Sequence, residues 1–226
     1  MGAVFAFLIC LAVPCAAESL SSVRVGSLPP IETGEPIAGL TTLDGRLVAI
    51  GATSAWVLDA DQRSWMRSQW HSSAPLLSIV GGGREAFLLL GKDGPADRVE
   101  RLSLTAGALN AHALAPLPVA LEHARGAVLG DVLLVAGTDT TGQSSLLQMR
   151  PALEQAQWSS GPGWPGGGAL SSMVTQTSAL FVTISDSGTQ ADRMFRWSSD
   201  KGWLERAVVP GAVVAGSGRA IGQAHV

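Results

Sequence analysis

The sequence contains few of the residues from which metal sites and crosslinks are built. Its 226 residues include 2 cysteines, 4 histidines and no tyrosine. Both cysteines, Cys10 and Cys15, lie close to the N-terminus, so the rest of the chain holds neither a disulfide nor a thiolate metal site. The histidines show no HxH or HExxH spacing. We therefore expect no metal ion and no other cofactor.

Charge is also scarce. Charged residues make up 15% of the chain, and 15 Lys and Arg stand against 18 Asp and Glu, a net charge of −3 without any basic cluster. Nucleic acids and anionic membranes are bound through clustered positive charge, so the composition excludes both as partners. The chain also has no GxSxG, Walker or dinucleotide-binding motif, and we interpret its two glycine triplets, 81–83 and 166–168, as turns.

The N-terminus is the one continuous apolar segment. A run from Ala3 to Val13 is followed by Pro14 and small residues, the pattern of a signal peptide cleaved after Ala17. No Lys or Arg precedes the run, and an uncleaved anchor remains the alternative, although a spanning helix needs ~20 apolar residues. We predict a signal peptide at 1–17, a leader at 18–27 and a folded region at 28–226, in the periplasm or secreted.

Turn-forming residues interrupt the remaining apolar segments too often for long helices. The chain has 27 Gly and 12 Pro among 46% hydrophobic residues, which favours an all-β fold. The best-formed unit spans Leu121 to Gly137, where Gly126–Leu129 and Val132–Ala136 flank the pair Gly130-Asp131. Such a pair between apolar segments predicts a tight β-hairpin.

This unit recurs along the chain. The residues that end the predicted inner strands are 40, 46 and 48 positions apart, at Gly51, Gly91, Gly137 and Ser185. A period of ~40–50 residues with four strands per unit is typical of propeller blades, and the absence of GH and WD dipeptides favours the kelch type. We predict an all-β, kelch-type β-propeller that is incomplete, with about four blades and the start of a fifth near Gly216.

Tryptophan marks the ends of three units. Trp65, Trp158 and Trp203 occupy the same place in their units, and this recurrence predicts packing between blades. Trp164 lies outside the repeat register, in GPGWPGGG. We predict that Trp164 is an exposed platform for a ligand.

Several of these segments together resemble a known family. They are LPP at 28–30, APLPVALEHARGAVLGDVLLVAG at 115–137, the turn-plus-Trp endings and the tail AIGQAHV. The chain resembles the kelch-repeat cyclically permuted mutarotases, which include periplasmic N-acetylneuraminate epimerases. It is also similar to the kelch region at the N-terminus of some bacterial sodium:solute symporters.

The two resemblances imply different functions. The symporter resemblance implies an exported propeller for ligand binding or scaffolding, tethered to the membrane by segments beyond Val226, so that the chain is a fragment. The alternative is an isomerase, a mutarotase or epimerase acting on N-acetylneuraminate or a related sugar acid. The epimerases carry an acidic residue in a long insertion, whereas the comparable loop here, Ser185 to Arg193, contains no Glu.

The candidate catalytic residues lie at the start of a predicted axial strand. Glu122, His123 and Arg125 could supply an acid, a base and a group that binds a carboxylate. Because consecutive side chains of a strand face opposite ways, Glu122 and His123 are not expected to share a face. The structural alternative is a solvated segment with one hydrogen bond to a neighbouring blade.

Further polar residues occupy turns between predicted strands. Such loops converge on one face of a propeller and form the mouth of a ligand site. We predict that residues of these turns and of the fifth blade bind the ligand together with Trp164. They are Arg84, Asp139, Asp186, Arg193, Arg219 and His225.

Overall fold

A computed structural model describes residues 27–92, 94–185 and 192–206, together with the strand backbone at 220–221 and 224–225. Its regular structure consists of β-strands, which form four antiparallel four-stranded sheets and one two-stranded sheet. Each four-stranded sheet is built from consecutive strands, so each is one blade. The predicted all-β class is confirmed.

The strands follow one another through the four blades. Blade 1 comprises β1 (Ile37–Leu43), β2 (Arg46–Gly51), β3 (Ser54–Leu58) and β4 (Trp65–His71). Blade 2 comprises β5 (Leu76–Gly82), β6 (Glu85–Leu90), β7 (Arg98–Thr105) and β8 (Ala108–Ala113). Blade 3 comprises β9 (Glu122–Leu129), β10 (Val132–Thr138), β11 (Ser144–Met149) and β12 (Ser159–Ser160). Blade 4 comprises β13 (Ala169–Gln176), β14 (Ala179–Ser185), β15 (Arg193–Ser198) and β16 (Gly202–Glu205).

The first strand of each blade is the axial one. β1 lies beside β5, β5 beside β9, and β9 beside β13. A hairpin of β17 (Ala220–Ile221) and β18 (Ala224–His225) comes after blade 4 in the chain, and β17 lies next to β13. This radial succession is that of a β-propeller, of which the described residues form four blades and the start of a fifth. The prediction that Gly51, Gly91, Gly137 and Ser185 end the inner strands is wrong. These residues lie at the end of the second strand of each blade or directly after it, whereas the first strand is the axial one.

Apolar side chains fill the space between adjacent blades. In β6, Leu88 packs with Val48 and Val57 of blade 1, whereas its neighbour Leu89 packs with Leu133 of blade 3. This alternation follows from the two-residue period of a strand. A third cluster joins blades 3 and 4 in the same way. Leu88 and Leu89 are both fully buried, and each contributes about 1.5–3 kcal/mol on general grounds.

The turns between first and second strands explain the repeat register. Leu129 pairs with Val132, so Gly130-Asp131 is the two-residue hairpin loop that the sequence predicts. Gly130 has φ +62°, the left-handed conformation that the first position of a type II′ turn requires. In blade 1 both loop residues, Asp44 and Gly45, have positive φ, as in a type I′ turn.

The first glycine triplet joins two blades. Gly83 accepts a hydrogen bond from the amide of Asp44 (2.6 Å) and donates one to the carbonyl of Thr42 (2.9 Å). Gly81, Gly82 and Gly83 all have positive φ, a backbone conformation that residues other than glycine rarely adopt. The triplet is therefore the end of β5 and the start of its turn, and it also links blade 2 to β1.

The recurring tryptophans hold the segment that leads into their own blade. The indole Nε1 of Trp65 donates to the carbonyl of Pro29 (2.8 Å), that of Trp158 to Ala115 (2.8 Å) and that of Trp203 to Gly163 (2.5 Å). The rings of Trp158 and Trp203 also pack against the clusters between blades. The predicted packing between blades is confirmed for Trp158 and Trp203.

Trp164 is not the exposed platform that its position outside the repeat predicts. Its ring is half-buried against the cluster between blades 3 and 4. Its Nε1 is buried and has no hydrogen-bond partner in the described part of the chain. The reason is tertiary: residues before β13 fold back over the blade instead of projecting from it.

We predict that two tryptophan-to-phenylalanine changes differ in their effect on the free energy of unfolding. Trp158→Phe leaves the carbonyl of Ala115 without its donor and should lower the free energy of unfolding by about 1–3 kcal/mol. Trp164→Phe removes a donor that makes no hydrogen bond, and should be neutral or stabilising. Urea unfolding followed by far-UV circular dichroism measures both. Equal losses in the two variants would contradict the role assigned to the indole hydrogen bond.

Candidate functional site

All four axial strands begin with an irregularity. We call the end at which β1, β5, β9 and β13 start the entrance end, and the opposite end the exit end. The pairing of each axial strand with its neighbour shifts register there: at Ile37–Gly39, Leu76–Ser78, Glu122–Arg125 and Leu170–Ser172. A β-bulge inserts one extra residue and breaks the alternation of side chains.

The bulge of blade 3 changes what the sequence predicts for the candidate pair. His123 has φ +52°, and both Glu122 and His123 are exposed. The expectation that they face opposite ways rested on the two-residue period of a strand, and this period does not apply at a bulge. Gly137 allows the chain to approach this closely: a Cβ there would lie 2.7 Å from the carbonyl oxygen of Glu122.

Arg125 completes the candidate set. Arg125 is half-buried, and its Nη1 donates to the carbonyl of Ala124 (3.0 Å). Arg125 lies on the same face of β9 as Ala127, which packs towards blade 4. Within the described residues Arg125 forms no ion pair. The entrance end of β9 thus presents a carboxylate, an imidazole and a guanidinium within four consecutive residues.

Asp139 lies at the same end but acts within its own turn. Its Oδ1 accepts hydrogen bonds from the amide of Thr141 (2.8 Å), the hydroxyl of Thr141 (2.6 Å) and the amide of Gln143 (2.9 Å). The hydroxyl of Thr141 and then the amide of Gln143 hold the pKa of Asp139 below its ordinary value. Asp139 therefore stabilises the β10–β11 turn as an anion.

Arg193 is likewise engaged inside its blade. Its Nε and Nη2 donate to the two carboxylate oxygens of Glu205 at 2.9 and 2.8 Å, and its guanidinium lies 4.9 Å from the ring centre of Phe195. The hydrogen bond from Arg193 lowers the pKa of Glu205. This two-pronged pair ties β15 to β16.

Arg84 lies at the other end of the blades. It occupies the β5–β6 turn at the exit end, where it is exposed and makes no hydrogen bond or ion pair with described residues. The prediction that Arg84, Asp139 and Arg193 line one mouth is therefore wrong for Arg84. In an antiparallel blade, the turn after the first strand and the turn after the second lie at opposite ends.

Three predicted ligand-binding residues have no described side chain. Asp186 and Arg219 lie outside the described residues, and His225 is described only as backbone in β18. Trp164 belongs to the core between blades 3 and 4, as shown above. The structure therefore brings together Glu122, His123 and Arg125, with Asp139 on the next turn of the same blade.

Sequence reasoning missed Asp192. Its side chain is 3% exposed, and its two carboxylate oxygens accept hydrogen bonds from Ser185 (2.7 Å) and Ser171 (3.2 Å). Ser171 is the extra residue in the bulge of β13, so Asp192 holds that bulge in place. The available signal in the sequence was an acidic residue in the loop after the second strand.

Two further classes of site were tested on the described residues. No three His, Cys, Asp or Glu side chains in this part of the chain are close enough to hold a metal ion together. Nor does any described segment form a helix of the length and apolarity that crossing a membrane requires.

Comparison with known proteins adds one finding. No protein-family model matches the chain, and no curated protein matches it. The blade topology itself defines the class, a β-propeller module. Among solved structures, that of YjhT aligns with a TM-score of 0.49 at 15% sequence identity, over 69% of this chain and 52% of YjhT. The chain therefore spans about half the length of that protein.

We predict that two replacements of His123 differ in stability. Both His123→Ala and His123→Gly remove the imidazole, but glycine adopts φ +52° without the steric cost that alanine meets there. The glycine variant should be more stable than the alanine variant by about 1 kcal/mol. Thermal unfolding of the two proteins tests this, and an alanine variant at least as stable as the glycine variant would show that position 123 does not keep the left-handed conformation.

Proposed function

We propose that this chain is an exported ligand-binding or scaffolding propeller, the N-terminal extracytoplasmic part of a sodium:solute symporter-like protein. The observation that carries the binding function is the bulge at the start of β9, which exposes Glu122 and His123 beside Arg125. The apolar segment at 1–17 supports export. Recovery of the protein from the periplasm with Glu18 as its first residue is the test of export.

The chemistry of the entrance end favours a small carboxylate as the ligand. A guanidinium binds a carboxylate through two parallel hydrogen bonds, and Arg125 has no acidic partner among the described residues. Glu122 and His123 add an acceptor and a donor suited to hydroxyl groups. A sugar acid carries both kinds of group, which agrees with the resemblance to the N-acetylneuraminate epimerases.

The binding test compares the two ends of the propeller. We expect Arg125→Ala to weaken the binding of N-acetylneuraminate by about tenfold or more, since a charge-assisted hydrogen bond contributes about 1.5–3 kcal/mol. Arg84→Ala, at the exit end, is the matched control and should bind like the unaltered protein. Isothermal titration calorimetry gives the dissociation constants.

Two outcomes would count against this site. One is an equal effect of the two arginine substitutions, which would mean that only net charge matters. The other is no binding of N-acetylneuraminate at millimolar concentration by the unaltered protein, which would remove this ligand from the proposal.

The second candidate function is sugar mutarotation. Ring opening at the anomeric carbon requires a base and an acid, and both Glu122 and His123 are exposed at the bulge. Glu122 would accept the proton of the anomeric hydroxyl, and His123 would donate a proton to the ring oxygen. Arg125 would hold the carboxylate of the sugar acid.

Exchange measurements by NMR separate mutarotation from simple binding. If the chain is a mutarotase, it should accelerate anomeric exchange of N-acetylneuraminate above the buffer rate. Glu122→Gln should reduce that acceleration by about 10²-fold or more, because the base is lost. Glu85→Gln, at the exit end, should leave the rate unchanged. Exchange at the buffer rate with the unaltered protein excludes the mutarotase and leaves the binding function standing.

A further inference from the structure

A cavity of about 280 Å³ opens beside blade 1. We call it the blade 1 pocket, and the residues that carry its chemistry are Glu35, Thr53, Ser54, Trp56 and Arg67. Ala55 and Val57 of β3 pack against blade 2, so Trp56, which lies between them, points to the opposite face. The pocket therefore lies on the face of blade 1 that is turned away from blade 2.

This face differs from the equivalent face of the other blades. Trp56 pairs across the sheet with Ala49, and the corresponding pairs are Leu147 with Val135 in blade 3 and Phe195 with Val182 in blade 4. Leu147 and Phe195 belong to the apolar clusters with the preceding blade. Trp56 instead forms part of a cavity wall that contains charged side chains.

One carboxylate in the pocket is held in a fixed position. Oε2 of Glu35 accepts hydrogen bonds from the amide of Thr53 (2.9 Å) and, more weakly, from its hydroxyl (3.5 Å). Burial raises the pKa of the Glu35 carboxyl, but hydrogen bonds from the amide of Thr53 and the hydroxyl of Ser54 outweigh this and leave the pKa below its ordinary value. Glu35 is therefore an anion at neutral pH.

The opposite charge in the pocket is held apart from Glu35. Nη2 of Arg67 donates to the hydroxyl of Ser54 (3.1 Å), and this serine is 2% exposed. Glu35 and Arg67 are therefore held by different neighbours, Thr53 and Ser54, and they form no ion pair with each other. Arg67 forms no ion pair with any residue that the structure describes. Elsewhere in the chain a comparable pair, Arg193 and Glu205, is in direct contact at 2.8 Å.

Two fixed and separated charges of opposite sign are complementary to a ligand that carries both charges. An ammonium group fits beside Glu35, a carboxylate fits beside Arg67, and the ring of Trp56, 5% exposed, offers an apolar wall for the remainder. The volume is just below the ~300–1,000 Å³ typical of pockets for drug-sized ligands, which indicates a small molecule.

We propose that the blade 1 pocket binds a small zwitterion of the amino-acid class, with its ammonium against Glu35 and its carboxylate against Arg67. This site is independent of the entrance end of β9, because it lies on another blade and shares no residue with it. A module with two separate ligand sites would sense a sugar acid and an amino acid on different surfaces.

Three matched compounds test the proposal. L-leucine carries both charges, isopentylamine lacks the carboxylate, and 4-methylpentanoate lacks the ammonium group. We expect the unaltered protein to bind L-leucine about tenfold or more tightly than either analogue, since each lost ionic hydrogen bond costs about 1.5–3 kcal/mol. Isothermal titration calorimetry at neutral pH and low salt measures the three dissociation constants.

Variants assign each charge to its residue. Arg67→Gln should abolish the preference for L-leucine over isopentylamine, and Glu35→Gln should abolish its preference over 4-methylpentanoate. Arg63→Gln, in the exposed β3–β4 turn, is the matched control and should keep both preferences. Arg125→Ala should also keep them, which separates this site from the entrance end. Far-UV circular dichroism checks that each variant is folded.

The proposal is overturned by either of two results. The first is an unaltered protein that binds L-leucine no better than the two analogues, which would mean that the charges do not act together. The second is a protein that binds none of the three compounds at ~10 mM while Arg67→Gln lowers its unfolding temperature. That result would assign the pocket to packing against another blade.

Discussion

Burial of apolar side chains between neighbouring blades is the interaction on which this structure depends. A single four-stranded blade would expose both of its faces, since Leu88 and Leu89 point in opposite directions and both are fully buried by neighbours. The order of the blades, the position of the axial strands and the approach of one blade to the next all follow from it. The indole hydrogen bonds of Trp65, Trp158 and Trp203 then hold the connecting segments against their blades.

The polar features lie where this apolar packing ends. At the entrance end each axial strand begins with a bulge. In the bulge of blade 3, His123 has a positive φ, Glu122 is exposed, and the flanking Leu121 and Ala124 are buried. Strained backbone of this kind persists only where its surroundings hold it, and it recurs at functional sites. The bulge of blade 4 is held differently, by the buried carboxylate of Asp192.

The charged groups divide into those that are engaged within the fold and those that pair with no described carboxylate. Asp139 accepts hydrogen bonds from residues of its own turn, and Arg193 donates hydrogen bonds to Glu205 on the neighbouring strand. Arg125 donates a hydrogen bond to a backbone carbonyl, and Arg67 donates one to a serine hydroxyl. Neither forms an ion pair with a carboxylate in the part of the chain that the structure describes. An unpaired guanidinium that is held in position loses little conformational entropy on binding a carboxylate, and this is why both proposed sites include one of these arginines.

The sequence alone determined the features that depend on near neighbours. The blade period, the turn at Gly130-Asp131 and the packing role of Trp158 and Trp203 follow from local conformation and repetition, and the structure agrees with each. Which strand lies at the axis, which end of a blade carries Arg84, and the burial of Trp164 and Asp192 were decided by tertiary structure. The physical reason lies in two effects. Antiparallel pairing places successive turns at opposite ends of a blade, and a bulge of one residue redirects side chains. Neither effect leaves a periodic signal in the sequence.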